Sequence, residues 1–202
     1  MAQLAPINPP IGCTPFINPH QTVRLILKEK VWSLTGDAFD IKIDPQNGQE
    51  PYPIFKVDPS AITSRKSFYD MKGTHLFDLK KEHFHLVHTY YKAVNPNGDK
   101  FFEVKSGFAL VGSKATATFT SANGTPETLS MKGNWRDSSA EIMDETRGVP
   151  VAVIQRKSAF KSLSTFLFDQ QTYGVSVAPG VDFALMAAMC ICFDEMNNEA
   201  EG

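Results

Sequence analysis

Phe183-Ala184-Leu185-Met186-Ala187-Ala188-Met189-Cys190-Ile191-Cys192-Phe193 is an unbroken run of eleven apolar residues. At 100° per residue, a helix over this run is apolar on every face, so it has to be surrounded by protein or by lipid. Its length decides between them. Eleven residues rise about 16 Å, roughly half of a hydrocarbon core, which favours a buried core helix over a membrane anchor. Pro179-Gly180 redirects the chain beforehand, Asp182 suits the positive end of the helix dipole, and Asp194-Glu195 marks the polar limit. The expected core contacts from this helix are Phe183, Leu185, Met186, Met189, Ile191 and Phe193.

What surrounds such a helix is legible upstream. From Thr22 onward, short β-branched and aromatic stretches are broken every ~8–12 residues by Gly, Pro, Asn or Asp. Phe39, Ile41 and Ile43 alternate with Asp40, Lys42 and Asp44, the period of two of a half-buried strand. Pro45-Gln46-Asn47-Gly48 supplies an Asn-Gly turn, and 53–57 begins the return. Phe68-Tyr69-Asp70 with Gly73 and Ile142-Met143-Asp144 with Gly148 repeat the device, an Asp bonding forward into a turn that a Gly completes. Further strands are expected at 22–28, 76–81, 83–94, 101–105, 115–120, 127–132, 151–157 and 172–178. About a dozen strands exceed what one open sheet readily holds, so the sheet must curl closed or fold over, and an all-apolar helix that needs walls on every side favours the closed form. The expected fold is mainly β: a closed antiparallel barrel of about twelve strands around the apolar C-terminal helix.

Bulk properties narrow the function classes. A hydrophobic content of 42% and a charged content of 21% fit one packed domain and argue against disorder or a multi-span membrane protein. A net charge of -2 gives no bulk attraction to nucleic acid. Three cysteines, two of them in the apolar run, point to a reducing compartment rather than a disulfide framework. Residues 1–20 carry five of the thirteen prolines and no signal-peptide pattern, so they read as an extended arm ahead of a barrel domain over 21–202. An intracellular, cytoplasmic location follows, peripheral to membranes if a lipid is the ligand, and Cys13 is a weakly motivated acylation site.

Ser64-Arg65-Lys66-Ser67-Phe68-Tyr69-Asp70 with Gly73, Leu76-Phe77 and Lys80-Lys81 resembles the first half of LURP-one-related proteins. Gln155-Arg156-Lys157, Asp169, Tyr173, Val175, Val177, Pro179-Gly180-Val181-Asp182, Ala184-Leu185 and Phe193-Asp194-Glu195 resemble their C-terminal block. The resemblance covers residues 22–196. It implies the barrel-and-helix fold shared with the tubby C-terminal domain and phospholipid scramblases. Some tubby relatives bind phosphoinositide headgroups, and plant members are associated with defence responses.

Three chemistries are weighed on the residues. The basic pairs Arg65-Lys66, Lys80-Lys81 and Arg156-Lys157, with Lys161, stand at strand ends where cations can converge on phosphate, against a bland reading as a solvated rim. His83 and His85 share a strand face and offer two metal ligands, His88 facing the other way; with no third ligand in sight, ordinary histidines are favoured. No nucleophile elbow or phosphate-binding glycine loop is present, and Asn123-Gly124-Thr125 reads as a hairpin turn rather than a glycosylation acceptor. The expectation is a non-enzymatic binding module with no cofactor, acting in a regulatory or stress role, whose partner is an anionic phospholipid headgroup or a protein. A metal-dependent or hydrolytic enzyme on the His83/His85 face and a scramblase-like lipid translocator are the alternatives.

Overall fold

The computed structural model describes residues 4–30, 38–60, 63–84, 88–107, 113–134, 139–156 and 172–199. Among the described residues twelve strands precede one helix. They are β1 (Val23–Lys30), β2 (Ala38–Asp44), β3 (Tyr52–Pro59), β4 (Arg65–Asp70), β5 (His75–Phe84), β6 (His88–Val94), β7 (Lys100–Gly107), β8 (Ser113–Thr120), β9 (Pro126–Asn134), β10 (Ser139–Asp144), β11 (Val149–Arg156) and β12 (Thr172–Val177). The helix is α1 (Phe183–Glu199).

Each strand pairs antiparallel with its sequence neighbours, and β1 closes the ring against β12 through Val23↔Val177 to Lys28↔Thr172. Closure leaves no strand edge unpaired, which removes the aggregation hazard of an open sheet. The alternation read in β2 is present: Phe39 and Ile41 are buried, with Asp40 and Lys42 on the other face. The expected strand 83–94 divides instead. Its first residues end β5 and its last form β6, paired as Phe84↔His88, because β-branched and aromatic residues run through this hairpin with no Gly or Pro to mark it.

The turns follow their side chains. Asp70 Oδ1 accepts the N–H groups of Lys72 and Thr74, and Asp144 Oδ1 those of Thr146 and Arg147. In the β2–β3 turn the left-handed residues are Gln46 (φ 61°) and Gly48 (φ 81°), not Asn47. Asn47 instead accepts the Gln49 N–H through its side chain.

Helix α1 threads the lumen, and every residue from Phe183 to Phe193 is at most 8% exposed. The wall is graded to fit. Phe39, Phe55, Phe68 and Phe77 fill one side from β2, β3, β4 and β5, while Ala115 and Ala117 of β8 line the other. Helix α1 approaches β12, β7, β1 and β8 most closely; on β8 the small inward Ala115 and Ala117 leave room for the helix backbone. The helix runs on past Asp194-Glu195 to Glu199, beyond its apolar run.

Candidate functional site

The barrel has two unlike ends. At one end lie the β2–β3, β4–β5, β6–β7, β8–β9 and β10–β11 hairpins, together with residues 4–22 and the start of α1; at the other, α1 emerges.

At the emerging end, strand alternation separates the basic pairs. Arg65 pairs with Lys80 and Lys66 with Leu79 in the β4–β5 register, so Lys66 shares the inner face with Phe68 while Arg65 looks outward. Lys66 Nζ lies 2.8 Å from Glu195 Oε1 on α1 and 5.4 Å from the centre of the Phe39 ring. It seals the point at which α1 leaves the lumen. Arg65 Nη1 is 3.8 Å from Asp78 Oδ2, beside a cluster in which Ser67 Oγ donates to Asp78 Oδ1 and His75 Nε2 lies 2.9 Å from the same oxygen. Lys80 and Lys81 are half-buried on β5, opposite Lys92 and Tyr91 of β6 respectively. Arg156 stands opposite Tyr173 at the end of β11, but its side chain lies outside the described residues, as do Lys157 and Lys161. Thus Arg65 and Lys66 are held by different carboxylates on different faces and are not brought together.

The histidine reading falls largely outside the described residues: His83 and His88 sit in β5 and β6 without described side chains, and His85 is not described. Among the described residues, no group of three His, Cys, Asp or Glu is placed to hold a metal ion. Cys190 and Cys192 lie in the core, where burial pushes both thiols well above their ordinary range. Burial, with Asp182 adding to it, pushes Cys13 up to about 12.

The hairpin end has the richer geometry, and its centre is Asp182. This buried carboxylate accepts five hydrogen bonds: Ala184 and Leu185 N–H at the start of α1, then Cys13 N–H, Thr14 N–H and Thr14 Oγ1–H from the proline-rich segment. It therefore caps the helix and ties residues 13 and 14 to it at once. Burial pushes its pKa up to about 6, with the bonds from Thr14, Leu185 and Cys13 working against that shift.

The segment fits the barrel end closely. Leu4, Ile7 and Ile11 are buried, and Phe16 meets Phe55 edge-on at 4.8 Å. A Cβ on Gly12 would stand 2.3 Å from Asp182 Cβ, and one on Gly180 (φ +83°) 2.2 Å from the Ile7 carbonyl oxygen. Beside this segment, residues 15–19 and 21–24 and the start of the β2–β3 hairpin enclose a groove of about 580 Å³. Its polar groups include Asp44, whose Oδ2 takes a 3.1 Å ion pair from Arg24 and whose Oδ1 accepts the Gln46 N–H. Tyr52, 49% exposed, stands at its lip. Sequence reasoning missed this groove, because its walls come from three separate stretches; the proline density of residues 1–20 was the one available signal.

A closed antiparallel barrel threaded by its own C-terminal helix defines the structural class. A family model described as LURP-one-related matches residues 23–194, all twelve strands and most of the helix, and the chain belongs to that family. No curated protein matches it. Among solved structures, an X-ray structure of an Arabidopsis thaliana protein is similar at 14% identity, covering 90% of this chain and 94% of the other, with a TM-score of 0.40. Among the described residues no helix is long and apolar enough to cross a membrane.

Proposed function

We propose that this chain is a non-catalytic binding module whose recognition surface is the hairpin-end rim, and that the groove between the proline-rich segment and β1–β3 takes a segment of a partner protein. The observation that carries this reading is the groove itself: about 580 Å³, in the range of ligand sites, lined by prolines, Phe16, Ile43, Tyr52 and one internally neutralised ion pair. Such a surface offers stacking and apolar contact with a few fixed polar groups. It lacks the cluster of uncompensated cations that a phosphate-bearing headgroup requires. A filled lumen and three thiols held in their neutral form also favour binding over chemistry.

Peptide selection against the folded full-length protein tests this. Peptides enriched on the native chain and lost on Tyr52→Ser are the expected result. Uptake of the chain onto phosphoinositide vesicles at low salt, abolished by Arg65→Ala with Lys80→Ala but indifferent to Tyr52→Ser, would replace the protein-segment reading with a lipid one.

A further inference from the structure

We infer that the barrel end beneath residues 4–17 is a docking seat for an extended peptide, occupied here by the chain's own segment and competent to take a partner segment of the same pattern. This seat lies under the segment and borders the groove, with which it shares Phe16 and Phe183, but its test does not depend on that groove binding a partner.

The sheet does not need this segment. β1 is paired on both sides, to β2 and β12, and the ring of twelve strands closes without residues 4–17. The segment adds two isolated bridges, Ile11↔Val181 parallel and Ile17↔Asp182 antiparallel. Its main-chain bonds run to the stretch from β12 into the first residue of α1, with Ile7 N–H to Pro179 O (2.8 Å), Ile11 N–H to Gly180 O (2.9 Å), Asp182 N–H to Ile11 O (2.9 Å) and Phe183 N–H to Phe16 O (3.0 Å), and to the β8–β9 turn, with Ala122 N–H to Gly12 O (2.8 Å) and Gly12 N–H to Ser121 Oγ (3.1 Å). Main-chain bonding combined with side chains in pockets is how folded domains capture extended peptides; here the anchors fall at 4, 7, 11 and 16 rather than at alternate positions.

The seat also has a readable preference. Leu4, Ile7 and Ile11 enter the core, and Phe16 packs on Phe55 and Phe183. Position 12 must be glycine, because any Cβ there meets Asp182. Position 14 must offer a hydroxyl as well as an N–H to the two oxygens of Asp182. The occupant is therefore an extended segment with apolar residues at the places of 4, 7 and 11, then Gly, a hydroxyl residue two further on and an aromatic two beyond that. Residues 19–22 form the tether, with Pro19, His20 and Gln21 exposed; Asn18 still belongs to the seat, its carbonyl accepting the Gly180 N–H (2.8 Å) while its Oδ1 accepts the N–H groups of His20 and Gln21. A tether this short gives the cis segment an effective concentration in the millimolar range, so a free peptide competes poorly until the tether is cut or the segment is displaced.

The test uses the full chain with a protease site introduced between His20 and Gln21, cut after folding, and a fluorescent synthetic peptide of residues 4–19. The cut protein should keep its melting transition and take up the labelled peptide saturably. The uncut protein should take it up on the order of 100-fold less. Peptides carrying Gly12→Leu or Ile11→Asp should bind at least about tenfold more weakly. The inference is overturned if the cut chain takes up no peptide, if the Ile11→Asp peptide binds as well as the native one, or if cutting unfolds the barrel, which would make the segment an inseparable part of the core.

Discussion

Thr14 gives both of its donors to Asp182: its N–H to Oδ2 and its hydroxyl to Oδ1, each at 2.8 Å, across 168 residues of chain. The same carboxylate caps α1. One side chain thus sets where the lumen helix begins and how the N-terminal segment lies.

Replacing Asp182 by Ala should cost about 2–4 kcal/mol, through loss of a helix cap and of charge-assisted bonds to buried N–H groups. Thr14→Val should cost less, about 1 kcal/mol, since it deletes the hydroxyl and leaves the backbone bond. Urea denaturation of the two variants checks the order.

The pH dependence has a definite sign. The folded Asp182 pKa of about 6 lies above its ordinary value of 3.8. The native state then holds the proton more tightly, so the side chain's contribution is fullest below the ordinary value and is lost as pH rises through about 6. The stability difference between wild type and Asp182→Asn should therefore shrink by up to about 3 kcal/mol between pH 4 and pH 7. A difference that grows over this range would show that the five donors outweigh desolvation.

Gly180→Ala should destabilise by more than Gly73→Ala. Both residues have positive φ, but a Cβ at Gly73 meets open space whereas one at Gly180 meets the Ile7 backbone. Strain alone is worth about 1 kcal/mol at the first site; at the second, residues 4–11 must also lift. Amide exchange at Ile7 and Ile11 should accelerate in Gly180→Ala and stay unchanged in Gly73→Ala.

The graded lumen makes opposite errors costly on opposite walls. Phe68→Ala should lose about 3–5 kcal/mol by opening a cavity, and Ala117→Leu about 1–3 kcal/mol by pressing on α1. Thermal denaturation separates this from a lumen with slack, in which Ala117→Leu would be neutral.

Lys66→Ala strands Glu195 largely buried and should cost about 1–3 kcal/mol, whereas Lys66→Met with Glu195→Met should recover most of that loss. A double-mutant cycle measures the coupling.

The sequence carried the fold because its strongest signals were local. An apolar run with an acidic residue before it gives a capped helix in a lumen, and Asp-to-Gly turns at 70–73 and 144–148 give hairpins. The site was less legible for physical reasons. Arg65 and Lys66 are chain neighbours, yet successive strand residues face opposite ways, so adjacency in sequence is separation in space. The period-two rule was enough to anticipate this. Nothing local could pair Lys66 with Glu195, or Gly12 with Asp182, because those contacts exist only once the barrel has closed. The proline density of residues 1–20 announced an extended chain without saying what it would lie against.

The order of the elements also governs how this molecule comes into being. A ribosome releases eleven staves, each with a greasy inner side, before it delivers β12, which shuts the ring, and α1, which fills it. Among the strand pairs, that of β1 with β12 demands the longest loop closure, and the contacts of residues 7–14 with 179–182 span more chain still. The nascent polypeptide must be sheltered through nearly all of its synthesis, and a premature stop ahead of Thr172 leaves a sticky ribbon instead of a smaller protein.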